Sequence, residues 1–387
     1  MHIDTAPRLV TPPLLLRLVS VAASSIGFYL PLSVVPMLAG PAAGLATVSL
    51  LAATVVVELV TPQLVARAGY RWALAAGLVL LGAPAVALSF DASPAVIVAV
   101  SVLRGAGFAV CTVAGGALTA MLIPAGRRGE GLALVGLTSG VTSLLALPAG
   151  VWVATRWGFA PVFAATAACT LLALLSIPGL PRRTAAAGRD HRGHRGVLAG
   201  LRSPAVTRPA AIFAASTTAI GVLVTYLPLA TAGLPAWVAP AALLAQPAAA
   251  TAARWFAGRL GDRHGPARLL TPGLLLAALG TAGLAGGPLP MVAGALLLGA
   301  GFGVLQNATL TLMYNRAPTG GESMVSAIWN SAYDLGMAAG ALVAGLVVAS
   351  AGYPATFLLT AAAMLPALAL IRRDRRPEEL SRTGRGA

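Results

Sequence analysis

Lysine is absent from this sequence: all 26 of its basic residues are arginine. Acids are scarce as well, with 11 Asp and Glu in 387 residues, and charged residues of all kinds make up 10% of the chain. A soluble domain carries about a quarter, so most of this chain does not face water. There are two cysteines, Cys111 and Cys169, each inside an apolar run. That excludes a disulfide framework and a cysteine-based zinc site. The four histidines, His2, His191, His194 and His264, all lie outside the apolar runs, so none is placed for chemistry at their depth. No Asp/Glu cluster falls inside the runs either. A membrane-embedded transferase would need such a cluster, or a His-rich site, to hold its metal. The expectation is a chain with no catalytic residue, no metal and no cofactor.

What fills the sequence is apolar: 58% hydrophobic residues and a mean hydropathy of +0.85. A helical crossing of a bilayer needs about 20 apolar residues. The runs here are long and continuous, whereas barrel strands would alternate over about 10 residues. The chain therefore reads as an all-α polytopic protein of the lipid bilayer. Spans are expected at 14–36, 44–66, 72–90, 95–122, 130–153 and 160–178. Six more are expected at 210–231, 236–258, 269–286, 290–314, 324–349 and 354–371. The opening "MHIDTAPRLVTPPLLLRLVSVAAS" has the order of a signal peptide but is read as a retained first span, because eleven more follow. The net charge of +15 does not point to nucleic acid. The arginines are thinly spread over many short loops instead of gathered on one domain, and the bias to Ala, Gly, Pro and Arg is that of a GC-rich genome.

The stretch "PRRTAAAGRDHRGHRGVLAGLRSPAVTRP", 181–209, is polar and rich in Arg and Gly, as a connecting segment is. It divides an N-terminal six-helix bundle, 1–180, from a C-terminal one, 210–371, which a tail, 372–387, follows. With the N-terminus in the cytoplasm, all but two of the arginines fall on cytoplasmic segments or adjoining span ends; the exceptions are Arg156 and Arg104. The positive-inside rule then sets both termini in the cytoplasm.

The two halves repeat. "YLPL" occurs at 29–32 and 226–229. "GAGF" occurs at 105–108 and 299–302, and "GFAPVF" at 158–163 matches "GYPATF" at 352–357, both at a shift of 194. "VARAGYRWALAAG" at 65–77 matches "GDRHGPARLLTPG" at 261–273, a shift of 196. Four matches in one order at nearly constant shift mark six spans duplicated in the same orientation.

Twelve spans, a parallel six-plus-six repeat and a basic central loop together resemble the major facilitator superfamily of secondary transporters, and "IPAGRRGEGLAL", 123–134, and "YDLG", 333–336, resemble its exporter-like, actinobacterial members. "GRLGDRHGPAR", 258–268, is similar to the family's signature loop, with Gly258, Asp262, Arg263 and Gly265 at the matching positions. The first-half copy, "PQLVARAGYR", 62–71, keeps Arg67 and Gly69 but has Ala66 where the acid belongs. The resemblance gives this loop a structural gating role at the cytoplasmic face. "LRGAGF" in span 4 and "GLTSGVTSLLALPAG" in span 5 match the family's Arg/Gly and Gly/Pro motifs in part. Arg104 stands directly before Gly105, and Leu147 precedes Pro148 where glycine is expected.

Few charges reach span depth. Arg17, near the cytoplasmic end of span 1, is expected to snorkel. Glu58 lies in the inner half of span 2. At about 1.5 Å per residue, Arg104 sits about 14 Å from the outer face and Asp334 about 15 Å from the inner one. A lone ion at that depth costs about 2.5–3.5 kcal/mol on insertion scales, so each wants a partner. The resemblance brings spans 2 and 11 together across the halves and makes Arg104–Asp334 and Glu58–Arg104 candidate pairs. An acid that gains and loses an arginine as the halves rock would bind and release a proton. Asp334 is the first candidate for proton coupling and Glu58 the second. The alternative is a permanent ion pair, or a carboxylate held by Asn330 and nearby backbone.

In the superfamily, spans 1, 4, 7 and 10 line the central cavity. The resemblance therefore makes Tyr29, Thr225, Tyr226, Gln306 and Asn307 cavity candidates, and span 11 adds Trp329, Asn330 and Tyr333. Aromatic faces with neutral hydrogen-bonding groups suit a small, partly apolar organic molecule. Ser25, Ser33 and Thr218 read instead as helix–helix contacts. The expected function is proton-coupled efflux of a small organic molecule by a monomer of the cytoplasmic membrane. An uptake symporter for a small metabolite is the alternative within that class, and a membrane-embedded transferase the one outside it.

Overall fold

The computed structural model describes residues 11–123, 128–181, 200–317 and 322–374. Most of the arginine-rich linker and the tail beyond residue 374, on which part of the orientation reading rests, lie outside the described residues. Within them every regular element is helical. The α-helices are α1 (Pro12–Tyr29), α2 (Val34–Ala39), α3 (Ala43–Gly82), α4 (Pro94–Leu122), α5 (Arg128–Trp157) and α6 (Ala160–Leu172). The second set is α7 (Pro204–Ala230), α8 (Val238–His264), α9 (Leu270–Gly283), α10 (Pro288–Arg316) and α11 (Glu322–Met364). Short 3-10 turns, Ala83–Ser89 and Ala173–Gly179, extend α3 and α6, and Pro266–Leu269 leads into α9.

Proline and glycine set the punctuation. α1, α4, α7 and α10 each open on a proline within the first two positions, where the missing N–H costs nothing. These are the first and fourth spans of each half. Six glycines have positive φ: Gly40, Gly69, Gly158, Gly233, Gly265 and Gly352. They pair across the halves, 40 with 233, 69 with 265 and 158 with 352, at shifts of 193, 196 and 194. Gly69 breaks α3, and Gly352 breaks α11, into two antiparallel segments each. Counted this way, and with α1 and the short α2 taken as one span, these helices make twelve segments among the described residues. Seven stretches are long and apolar enough to cross a membrane, three segments falling in the first and two in the last. Segments eight and nine fall outside those stretches. α8 carries Arg254, Arg259, Asp262 and Arg263, and α9 has only 14 residues.

The residues group into two compact units, Met1–Ala39 with Ser49–Arg189 and Gly40–Val48 with Asp190–Ala387. The repeated "GAGF" explains the packing inside each. A Cβ on Gly105 would collide with the Leu50 carbonyl, and one on Gly107 with the backbone of Gly77 and Leu81. In the second unit a Cβ on Gly299 would collide with the Gln246 carbonyl, and one on Gly301 with the backbone of Gly273 and Ala277. In each unit the fourth helix of the repeat is thus pressed against the second on one side and the third on the other. Small residues allow backbones that close.

The second unit holds the first residues of α3. Thr47 and Thr225 hydroxyls are 2.9 Å apart, and the Tyr226 hydroxyl donates to the Ala341 carbonyl at 2.8 Å. A Cβ on Gly44 would strike both that carbonyl and that hydroxyl. At the other end of the unit Arg316 Nη1 donates to both carboxylate oxygens of Asp374, at 2.9 and 2.8 Å, and Arg208 donates to the Arg373 carbonyl at 3.2 Å. The Asp374 side chain is 3% exposed and Arg316 18%. Removing one member of a buried pair costs about 3–5 kcal/mol, less where water reaches a partner. Asp374→Ala is therefore expected to remove about 2 kcal/mol, read as a lowered unfolding midpoint in detergent. An unchanged midpoint would mean that the pair does not hold these helix ends.

Candidate functional site

Four aromatic rings converge in the second unit, from α7, α10 and α11. Phe213 stacks on Trp329 with ring centroids 4.4 Å apart and planes within 10°, and on Phe302 at 5.7 Å. Tyr333 lies 6.0 Å from Phe213 and 6.1 Å from Phe302. Such pairs add about 0.5–1.5 kcal/mol each beyond area burial. The Trp329 Nε1–H donates to the Thr309 hydroxyl at 3.2 Å, which fixes the indole. Phe213 is fully buried, while Trp329 and Tyr333 are half-buried. The cluster therefore has a closed back and a partly open front. Phe213 and Phe302 were not singled out in the sequence. The second "GAGF" marked Phe302 as a repeat residue, but nothing marked Phe213 among the apolar residues of its span.

Polar groups lie along the same helices, α10 and α11. Gln306, half-buried on α10, accepts at Oε1 from Arg254 Nη1 at 2.9 Å. Asn307 is half-buried, its amide next to Gly258. Tyr314 and Ser326 hydroxyls are 2.7 Å apart. On α11, Asn330 is exposed and Asp334 half-buried. The neighbouring Gly336 and Gly340 pack tightly on α7, where a Cβ would strike Thr217 and the Thr218 carbonyl respectively. Thr225 and Tyr226 do not join this group. Both are buried and engaged with Thr47 and Ala341.

In the first unit the rings are fewer. Phe28 stacks on Phe108 at 3.7 Å and meets Tyr29 edge-on at 5.0 Å. Phe108 is the repeat counterpart of Phe302. Beside them lies Arg104, 1% exposed. Its Nη2 donates to the Gly27 carbonyl at 3.2 Å and the Phe28 carbonyl at 3.4 Å, while its Nε is buried without a hydrogen-bond partner among the described residues. The reason is local. Pro31 has no N–H to give the Gly27 carbonyl four residues back, and the Leu32 N–H turns to Tyr29 instead. Both carbonyls are left open where α1 breaks, and Arg104 fills them. Glu58 is half-buried on α3, and no hydrogen bond or ion pair joins it to Arg104.

Arg17 departs from expectation. It does not snorkel but is 4% exposed. Its Nε donates to the Gly115 carbonyl at 3.2 Å and the Thr119 hydroxyl at 3.1 Å, and Nη1 to Ser20 at 2.6 Å. Gly115 supplies the space, since a Cβ there would occupy the guanidinium's place. Of the helix contacts expected, Ser25 and Ser139 hydroxyls are 3.1 Å apart, joining α1 to α5. Thr218 bonds back to the Ala214 carbonyl of its own helix at 3.0 Å, and the Ser33 hydroxyl is buried without a hydrogen-bond partner among the described residues.

The signature loop ends α8. Gly265, φ 85°, closes the helix with its N–H on the Gly261 carbonyl at 2.8 Å. Gly69, φ 78°, makes the same turn in α3. Arg67 and Arg263 are exposed and Gly258 is half-buried. Asp262 lies on α8, its side chain outside the described residues.

The family model of the Major Facilitator Superfamily matches residues 17–321 and 241–387. A multidrug resistance protein, MdtG, of Klebsiella pneumoniae (strain 342) is 30% identical over 262 residues, covering 64% of this chain and 63% of the relative. MdtG of Enterobacter lignolyticus (strain SCF1) is 32% identical over 263 residues, covering 64% and 62%. The chain thus spans less than two thirds of the length of these curated relatives. Among solved structures, the nucleoside transporter NupG superposes with a TM-score of 0.73 at 13% identity, over 94% of this chain and 99% of that one. The peptide transporter POT in complex with sulfate superposes with 0.71 at 16%, over 97% and 96%. With the parallel repeat and the helical fold already in place, these matches identify the chain as a multi-pass membrane protein that belongs to the Major Facilitator Superfamily.

Proposed function

We propose that this protein is a secondary active transporter, not an enzyme, and that it exports a small, partly apolar organic molecule by alternating access, driven by protons. The observation that carries the substrate class is the cluster of Phe213, Phe302, Trp329 and Tyr333, with Gln306 four residues along α10 from Phe302. Flat aromatic faces with a few neutral hydrogen-bonding groups fit a neutral or cationic organic molecule better than a multiply charged anion. The similarity to proteins named for multidrug resistance supports efflux. Asp334 is the coupling acid in this reading, and Glu58 is secondary. Arg104, bonded to the carbonyls at the α1 break, serves first to position that break. The loop of Gly258, Asp262, Arg263 and Gly265, with Arg67 and Gly69, acts as a structural gating element. Bundles 1–180 and 210–371 rock about the linker 181–209 in a monomer of the cytoplasmic membrane, and both termini face the cytoplasm.

Inside-out vesicles test this directly. With an inward-acid pH gradient, vesicles containing the protein are expected to accumulate fluorescent hydrophobic cations from a broad panel. An ionophore that dissipates the gradient should release them. No gradient-dependent flux across the panel would remove the proposal, and flux only in the opposite direction would make the protein an uptake symporter.

A further inference from the structure

The first unit has a groove of about 710 Å³ lined by residues at the ends of two spans: Arg71, Trp72 and Ala75 of α3, and Leu174, Ile177 and Pro178 of the turn after α6. Its walls are mostly apolar, and its floor joins the buried core of Tyr70, Ala73, Leu74 and Ala173. Trp72 is 74% exposed and sits at the start of its membrane segment, where an indole marks the interface between headgroups and acyl chains. Arg71 is half-buried. Its Nε donates to the Leu180 carbonyl, which holds the guanidinium across the groove mouth. Its two terminal nitrogens have no protein partner among the described residues, and no acid lines the groove.

We infer that this groove binds one anionic phospholipid, its phosphate on the terminal nitrogens of Arg71 and an acyl chain along Leu174, Ile177 and Pro178. The charge argues for the occupant. A fixed cation with free donors at the mouth of an apolar slot, at interface depth, complements a negative headgroup with hydrocarbon behind it. A soluble anion has no use for the slot, and a zwitterionic lipid offsets the phosphate with its own ammonium. The leaflet is the one on the arginine-rich side, cytoplasmic in the orientation proposed above. The inference does not depend on what is transported.

Trp72 is the reporter. The protein is reconstituted into phosphatidylcholine vesicles with a minor fraction of phosphatidylglycerol, and the bromine label is placed on one lipid or the other at equal mole fraction. The Trp72 signal is the difference between the wild type and Trp72→Phe. Brominated phosphatidylglycerol is expected to quench it at least twofold more than brominated phosphatidylcholine. Arg71→Gln should abolish that preference and Arg71→Lys should keep most of it, which separates loss of charge from loss of the fold. Equal quenching by both lipids in the wild type, or an undiminished preference in Arg71→Gln, would overturn the inference.

Discussion

Gly299→Leu will prevent the chain from accumulating in the membrane as a folded protein, and Gly105→Leu will do the same. Overpacking a core costs about 1–3 kcal/mol when neighbouring side chains can move aside. Here the obstacle is backbone, the carbonyls of Gln246 and Leu50, and each helix is held from its other side two residues further on, at Gly301 and Gly107. Relief means separating whole helices, so the cost passes the top of that range. It then takes a large share of a stability of about 5–15 kcal/mol. Gly140→Leu is the control, since nothing lies within 4 Å of a Cβ there. The measurement is the monodisperse fraction after extraction. Near-normal yields for Gly299→Leu and Gly105→Leu would show that the helices are less closely packed than described.

Asp334→Asn will reduce pH-driven flux in energised vesicles to background while substrate binding, followed through Trp329 fluorescence, changes by less than about threefold. Asparagine keeps the size and hydrogen-bonding capacity of the side chain but cannot take up and release a proton. A carboxylate at that depth is costly enough to need a use. At the repeat shift of 194 its counterpart is Gly140, as the counterpart of Arg104 is Leu298. Each charge was added to one copy of a duplicated scaffold. Arg104 has a structural reason, the carbonyls opened by Pro31. Asp334 sits next to the aromatic cluster, one residue along α11 from Tyr333. Retained pH-driven flux in the variant would remove Asp334 from the coupling mechanism and leave it a structural acid.

The architecture was largely legible because its signals are local. Apolar runs gave the helices, and glycine at equal spacing gave the duplication. The turns at Gly69, Gly265, Gly158 and Gly352 then fell inside the repeated motifs. The site was less legible because a polar residue at helical spacing does not reveal which neighbour its face meets. Trp329 and Tyr333 both meet Phe213, whereas Gln306 takes its hydrogen bond from Arg254. Thr225 and Tyr226 share the polarity of those residues but face the start of α3 and α11. Arg17 was expected to reach water, but a glycine, a threonine and a serine three or about a hundred residues away offer it a buried place. Phe213 gave no signal, since a ring in an apolar span looks like any other apolar residue until its neighbours are known.

The nine residues Gly40–Val48 belong to the second compact unit although they precede the rest of it by more than 140 positions. A fragment cut within 182–199 and expressed from there onward would lack them. Its Thr225 hydroxyl would lose Thr47, and the tyrosine at 226 would lose the glycine backbone it packs against. The two halves of the gene are therefore not two independent folding instructions. Split expression should succeed only when both fragments are made together, the earlier one lending a short helical end that the later one cannot encode.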